Sequence, residues 1–195
     1  MAEAFSIEPK STALLAMDFQ AGIVEGYASD RENLLNRTAG LLGAARRAKI
    51  SIVYIVVGFR PGHAEVSPRN LSFSAIRQSG RFLPGDPATA IHPAVAPVEG
   101  DIVVTKHRVS AFAGTDLEMI LRAKGIDHLI LMGIATSGVV LSTTRHAADA
   151  DYRITIVRDC CADRDEEVHR VLLDKVFVRQ AAIVTAADVL GALPN

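Results

Sequence analysis

The sequence has only two cysteines in 195 residues, and they are neighbours, Cys160 and Cys161. Adjacent residues do not easily satisfy disulfide geometry, so the pattern argues against a structural bridge within the chain. Such sparse cysteine usage fits a reducing cytoplasm. There is no Gly-x-Gly-x-x-Gly after the first apolar run and no Gly-rich lysine motif for phosphate, which argues against a nucleotide cofactor. The histidines, at 63, 92, 107, 128, 146 and 169, show no tight metal-ligand spacing, and no metal is expected. No stretch approaches ~20 uninterrupted apolar residues, so no membrane span is expected. The N-terminus lacks the basic and apolar parts of a secretory signal. A formal net charge of −1 offers no strong field for nucleic acid or an anionic membrane.

What is present is apolar material. Hydrophobic residues make up 49% of the chain, and the mean hydropathy is +0.24. That suits a parallel sheet covered by helices on both faces, where strands are apolar throughout. The length fits one domain, read as residues 1–195. Apolar strand candidates alternate with helical patterns, the signature of an α/β fold. Strands are predicted over residues 12–17, 51–57, 102–105, 129–132, 153–157 and 182–184. Helices are predicted over 32–49, 116–124, from Ser137 to about 150, and from an Asp163/Glu166 capping box to about 178. Thr185 is expected to cap a terminal helix. Residues 58–100 carry six prolines and read as turns and loops, a length that is often functional.

The most informative stretch is Gly133-Ile134-Ala135-Thr136-Ser137-Gly138-Val139. It reads as a buried strand turning sharply into a helix N-terminus, a geometry that attracts anions. Where a nucleophile would be well placed, the chain has Gly138 and Val139. Ser137 reads as the helix cap rather than as a nucleophile, since no partner base is evident. Asp18 follows an unbroken apolar strand, where ligands bind in open parallel sheets. A carboxylate there is costly to bury unless paired or working, although a turn-capping Asp is the bland alternative. Lys106 also ends a strand. It could hold a carboxylate ionised or simply be solvated. Arg108 could clamp an acid group or lie on the surface. Cys160 and Cys161 end the fifth strand and read as small buried hydrophobes, with a nucleophilic role as the lesser alternative. His63, in the long loop, could meet a substrate or be solvated.

Leu14 to Gln20, Lys106 to Phe112 with Gly114 to Leu117, Gly133 to Thr136, and Thr143 to Ala147 together resemble the isochorismatase-like hydrolase superfamily, over roughly residues 12–185. The resemblance implies a three-layer α/β/α, Rossmann-like fold with a six-stranded parallel sheet, and a homodimer or homotetramer. Cysteine hydrolases of that superfamily use an Asp, a Lys and a Cys. These fall on Asp18, Lys106 and Val139, so acyl-enzyme chemistry through the last position is excluded. Backbone N–H groups forming an oxyanion hole map to Ala135 and Val139, with a cis peptide expected at Ile134-Ala135. The metal site of nicotinamidases has no counterpart in residues 58–63. True isochorismatases also lack the cysteine, with glycine in its place, and cleave a vinyl ether by acid chemistry.

The resulting expectation is a hydrolase of a small C–N or ether-type substrate. Asp18 and Lys106 would do acid-base work, water would attack, and no cofactor would be needed. Phe19, Gln20, Arg108, Phe112, Thr136, Ser137 and Gly138 are the expected substrate-binding residues. A non-catalytic binding homologue, or a cysteine hydrolase using Cys160 or Cys161, are the alternatives.

Overall fold

The computed structural model describes residues 6–194. Its frame is a parallel sheet of six strands: β1 (Thr12–Met17), β2 (Ser51–Val57), β3 (Ile102–Lys106), β4 (His128–Ile134), β5 (Arg153–Ala162) and β6 (Ala182–Val184). The spatial order is β3-β2-β1-β4-β5-β6, with every pairing parallel. The chain starts in the middle, winds outward to one edge, then returns to β4 and winds to the other. The strand order reverses between β1 and β4, and a crevice opens there beyond the carboxyl ends of the strands.

Among the described residues seven α-helices accompany the sheet: α1 (Ala21–Tyr27), α2 (Arg31–Arg47), α3 (Leu71–Ser79), α4 (Leu117–Ala123), α5 (Leu141–Asp149), α6 (Glu166–Val171) and α7 (Ala186–Ala192). Successive strand residues point to opposite faces, so one strand feeds two cores. Leu14 and Ala16 of β1 join Leu41 of α2 and Val189 of α7 on one face. Ala13, Leu15 and Met17 join Leu117 of α4 and Ala147 of α5 on the other. Every residue of β1 and β4 is buried, which is why these strands read as continuous apolar runs. The fold is the expected three-layer α/β/α arrangement.

The strand spans 12–17, 51–57 and 182–184 match expectation, but several details differ. α1 is absent from the sequence reading because Gly22 and Gly26 weaken its helical pattern. α3 lies inside the stretch read as loop. The Asn70 side chain caps it by accepting the Phe73 N–H at 3.1 Å, and left-handed Gly80 ends it. β5 runs on to Ala162, so both cysteines lie within the strand and are buried. Asp165, not Asp163, caps α6, and the predicted continuous helix to about 178 breaks into a π-turn at Leu172–Val176 and a 3₁₀ turn at Phe177–Arg179. Ser137 does not cap α5. It lies within a π-turn, Thr136–Val140, that precedes that helix. Thr185 does cap α7, in a capping box with Asp188.

Two buried features tie the central strands together. Gly133 of β4 sits against β1, where a Cβ would fall 2.7 Å from the Met17 carbonyl oxygen and 2.8 Å from Met17 Cβ. Neither neighbour can swing aside. Gly133→Ala is therefore expected to cost about 1–3 kcal/mol by overpacking, read as a lower midpoint in urea denaturation. His128, fully inside, lies 2.9 Å from Thr155 Oγ1 and 3.3 Å from Thr12 Oγ1, bridging β1, β4 and β5. Burial pushes its imidazole pKa down to about 4, from 6.5. The folded state thus favours the neutral ring. The stability this contributes is present above pH 6.5 and is lost as pH falls from there towards 4. Acid unfolding curves of the wild type and His128→Gln should diverge in that window, with the variant flatter.

Candidate active site

Asp18 is the first residue after β1, and its backbone leaves the strand in the left-handed region at φ 58°. That conformation is uncommon outside glycine, and Asp tolerates it better than branched residues do. The N–H of Asp18 still donates to the Ile55 carbonyl at 2.8 Å, which pins the turn to β2. Lys106 ends β3, two strands away. Neighbouring strands lie about 4.8 Å apart, so only a long side chain can cross β2 to reach Asp18. Lys106 Nζ does so, at 2.9 Å from Asp18 Oδ2, with the two side chains 3% and 8% exposed. Nζ also donates to the Arg108 carbonyl at 3.2 Å. Asp18 Oδ1 has no hydrogen-bond partner among the described residues. Burial raises the Asp18 pKa above its ordinary value, and this outweighs the lowering by the Lys106 charge.

Both residues line a cavity of about 300 Å³ at the sheet's carboxyl edge. Ala135, Gly138 and Val139 form part of its wall, and the Ile134-Ala135 peptide is cis. The apolar lining comes from Ile23 and Tyr27 of α1, Phe73 and Ile76 of α3, Phe82, and Val109. Arg81 and Arg164 complete it. Three cations thus face a single carboxylate across this space.

Residues 12–188 match the isochorismatase domain family. The chain belongs to the isochorismatase family of hydrolases. It is 32% identical over 191 residues to the isochorismatase family protein YecD of Escherichia coli O157:H7, covering 96% of this chain and 98% of that one. It is 29% identical to a maleamate amidohydrolase of Pseudomonas putida, covering 94% of this chain and 87% of that one. Among solved structures, an isochorismatase family protein from Burkholderia thailandensis superposes with a TM-score of 0.84 at 30% identity, covering 98% and 99% of the two chains. An N-carbamoylsarcosine amidase from Thermoplasma acidophilum gives 0.74 at 27% identity, covering 90% and 96%.

Within this isochorismatase fold the expected site residues separate into two groups. Asp18, Lys106, Ala135, Gly138 and Val139 meet at the cavity. The others do not line it. Phe19 is buried in the core beneath α1 and α2. Gln20, also buried, acts as a clip: its amide donates to the carbonyls of Val57 and Thr89 and accepts the Val57 N–H, all within 2.8 Å. The Arg108 guanidinium is spent on the carbonyls of His107 and Glu65, so this residue serves Lys106 through its main chain instead. Phe112 stacks on His146 with ring centroids 4.5 Å apart. Thr136 donates to the Ala162 carbonyl and sits 2.7 Å from His169 Nδ1. Ser137 is exposed, and its N–H is taken by the Asp163 carboxylate at 2.7 Å. One N–H of the anion-attracting turn is therefore satisfied from within the chain.

His63 is also placed differently from the two roles considered for it. It is buried, and its Nε2 bonds the Arg81 carbonyl at 2.9 Å. The cysteines are inert thiols: burial pushes Cys160 up to about 12 and Cys161 higher still, so neither forms thiolate near neutral pH. Sequence reasoning missed Arg81 and Arg164. Arg164 had a signal, since it follows β5 at the sheet's carboxyl edge. Arg81 had none, being in an irregular stretch whose path depends on tertiary contacts.

The buried pair makes a thermodynamic prediction. Lys106→Met leaves an uncompensated buried carboxyl, and a loss of about 3–5 kcal/mol is expected in chemical denaturation. Asp18→Asn combined with Lys106→Met should be less destabilised than the sum of the single changes, because the two groups are coupled.

Proposed function

We propose that the chain hydrolyses a small C–N or ether-type substrate by proton transfer through Asp18, with water as the attacking group. The buried Lys106–Asp18 contact beside Val139 carries this reading. A carboxyl whose pKa is raised by burial can hold a proton for a leaving group, and its free Oδ1 is available for that transfer. Lys106 fixes the other oxygen and steadies the carboxylate charge until the proton lost by the attacking water restores the acid form of Asp18. Ala135 and Val139 line the same cavity, and their N–H groups would receive negative charge developing on a carbonyl oxygen. No side chain at position 139 can form a covalent intermediate. The amidohydrolase names of relatives support C–N chemistry. We read residues 1–195 as one such domain, supported by a family match over 12–188 and one continuous sheet.

Val139 favours one second reading, a homologue that binds its ligand without turning it over. A panel of small amides, ureides and vinyl ethers separates the two. Turnover of any of them should fall about 10²–10⁴-fold in Asp18→Asn, with the circular dichroism spectrum unchanged. As general acid, Asp18 must be protonated, so kcat/KM should decline as pH rises through its elevated pKa. Replacing both cysteines, Cys160→Ala and Cys161→Ala, should leave turnover in place. Full activity in Asp18→Asn refutes the proposal, and binding without turnover across the panel supports the second reading.

A further inference from the structure

Thr136 and Ser137 open the π-turn that lies between Ala135 and α5, and each is fastened by a side chain from beyond β5. β5 pairs with β4 in parallel, with Ala162 beside Ile134, so the chain leaving β5 runs alongside the turn. Asp163 comes next and accepts the Ser137 N–H at 2.7 Å, a charge-assisted bond. α6 follows, its start fixed by Asp165, whose carboxylate accepts the N–H groups of Glu167 and Val168, both at 3.0 Å. From α6 the His169 ring reaches back, with Nδ1 2.7 Å from Thr136 Oγ1. Thr136 is fully buried, and its hydroxyl also lies 3.1 Å from the Ala162 carbonyl. Within the turn, the N–H groups of Gly138 and Val140 close onto the Ala135 carbonyl at 3.1 and 3.3 Å. Ser137, Gly138 and Val140 thus have their donors occupied inside the chain.

The hydroxyl of Thr136 has one proton to give. The Ala162 carbonyl can only accept, so the proton is spent there and Thr136 must accept from the ring. His169 therefore carries its proton on Nδ1, which leaves Nε2 bare in the neutral imidazole. A free histidine side chain prefers the opposite tautomer, so the arrangement is a specific demand of this site. Burial lowers the His169 pKa, and the ring is neutral above pH 7. Neither His169 nor Asp163 lines the cavity that holds Asp18. Both border a second one, of about 290 Å³. Any effect they have on the first passes through the backbone of residues 135–139.

We propose that His169 and Asp163 are positioning residues, which lock Thr136 and Ser137 and so aim the Ala135 and Val139 N–H groups into the cavity. The use of those two donors rests on the function proposed above; the lock itself is tested without turnover. Nitrogen NMR of the neutral wild-type ring should place the His169 proton on Nδ1, and Thr136→Val should let it return to Nε2. Hydrogen exchange at the Ser137 N–H should be slow in the wild type and roughly 10- to 100-fold faster in Asp163→Ala. His169→Leu should displace the Ala135 and Val139 amide resonances. His169→Asn, whose side-chain amide can donate from the Nδ1 position, should bring them back. With any amide, ureide or vinyl ether that is turned over, His169→Leu should lower kcat about tenfold at unchanged KM, because such donors act most strongly in the transition state. His169→Asn should restore part of that loss, which a general loss of stability would not explain. If nothing on the panel is turned over, the proposed function fails while the resonances and the exchange rates still decide the lock. A proton on Nε2 in the wild type, rapid exchange at Ser137 in the wild type, Ala135 and Val139 resonances indifferent to His169→Leu, or an unchanged kcat overturns the proposal.

Discussion

A carboxylate and an ammonium group held out of water are the constraint around which this structure is arranged. Removing each ion from solvent costs several kcal/mol, and the attraction between them does not reliably return it. Asp18 and Lys106 are therefore a poor source of stability and a strong pointer to chemistry. The cost is met by the rest of the fold. β1, β2 and β4 are packed on both faces, the Arg108 carbonyl accepts from Lys106, and the Ile55 carbonyl fixes the turn that carries Asp18. With one carboxylate oxygen bound to Lys106 and the other unpartnered, the pair is asymmetric, and that asymmetry leaves Asp18 a hydrogen-bonding position to use.

The cavity inherits a direction from this arrangement. Its floor is the ion pair and the turn after β4, both close to the point where strand order reverses. Its walls are apolar side chains from α1 and α3. Arg81 and Arg164, both exposed, add cationic groups to it. Val139, which carries no reactive atom, stands in its wall. The two cysteines present do not compensate, because they lie in β5 with their thiols firmly protonated.

Segments that look irregular do much of the positioning. Gln20 clips the end of β2 to the 87–89 turn and so holds the start of α1. His63 ties the first part of the long connection to Arg81. Asp163 closes one donor of the π-turn and precedes Arg164 directly. In each case a polar side chain satisfies a backbone group far along the chain. The same contact secures the fold and places a cavity residue.

Strand position placed Asp18 and Lys106 at one edge of the sheet, since each ends an apolar strand, and the family resemblance then singled them out over a turn-capping Asp and a solvated Lys. Three strands were read to the residue, since period, composition and length are local properties. α1 and α3 were not, because glycine and a polar, proline-bounded context erase their periodicity. Phe19, Gln20, Arg108 and Phe112 were near the right place in sequence, but their side chains turned to the core or to carbonyl partners. Side-chain direction at a strand end depends on which backbone groups need partners, and those lie tens of residues away. For the same reason the sequence by itself determined the sheet and the broad order of its helices, and put Asp18 and Lys106 at its carboxyl edge. Only tertiary structure decided which arginines face the cavity, because Arg81 and Arg164 reach it from segments far apart in sequence.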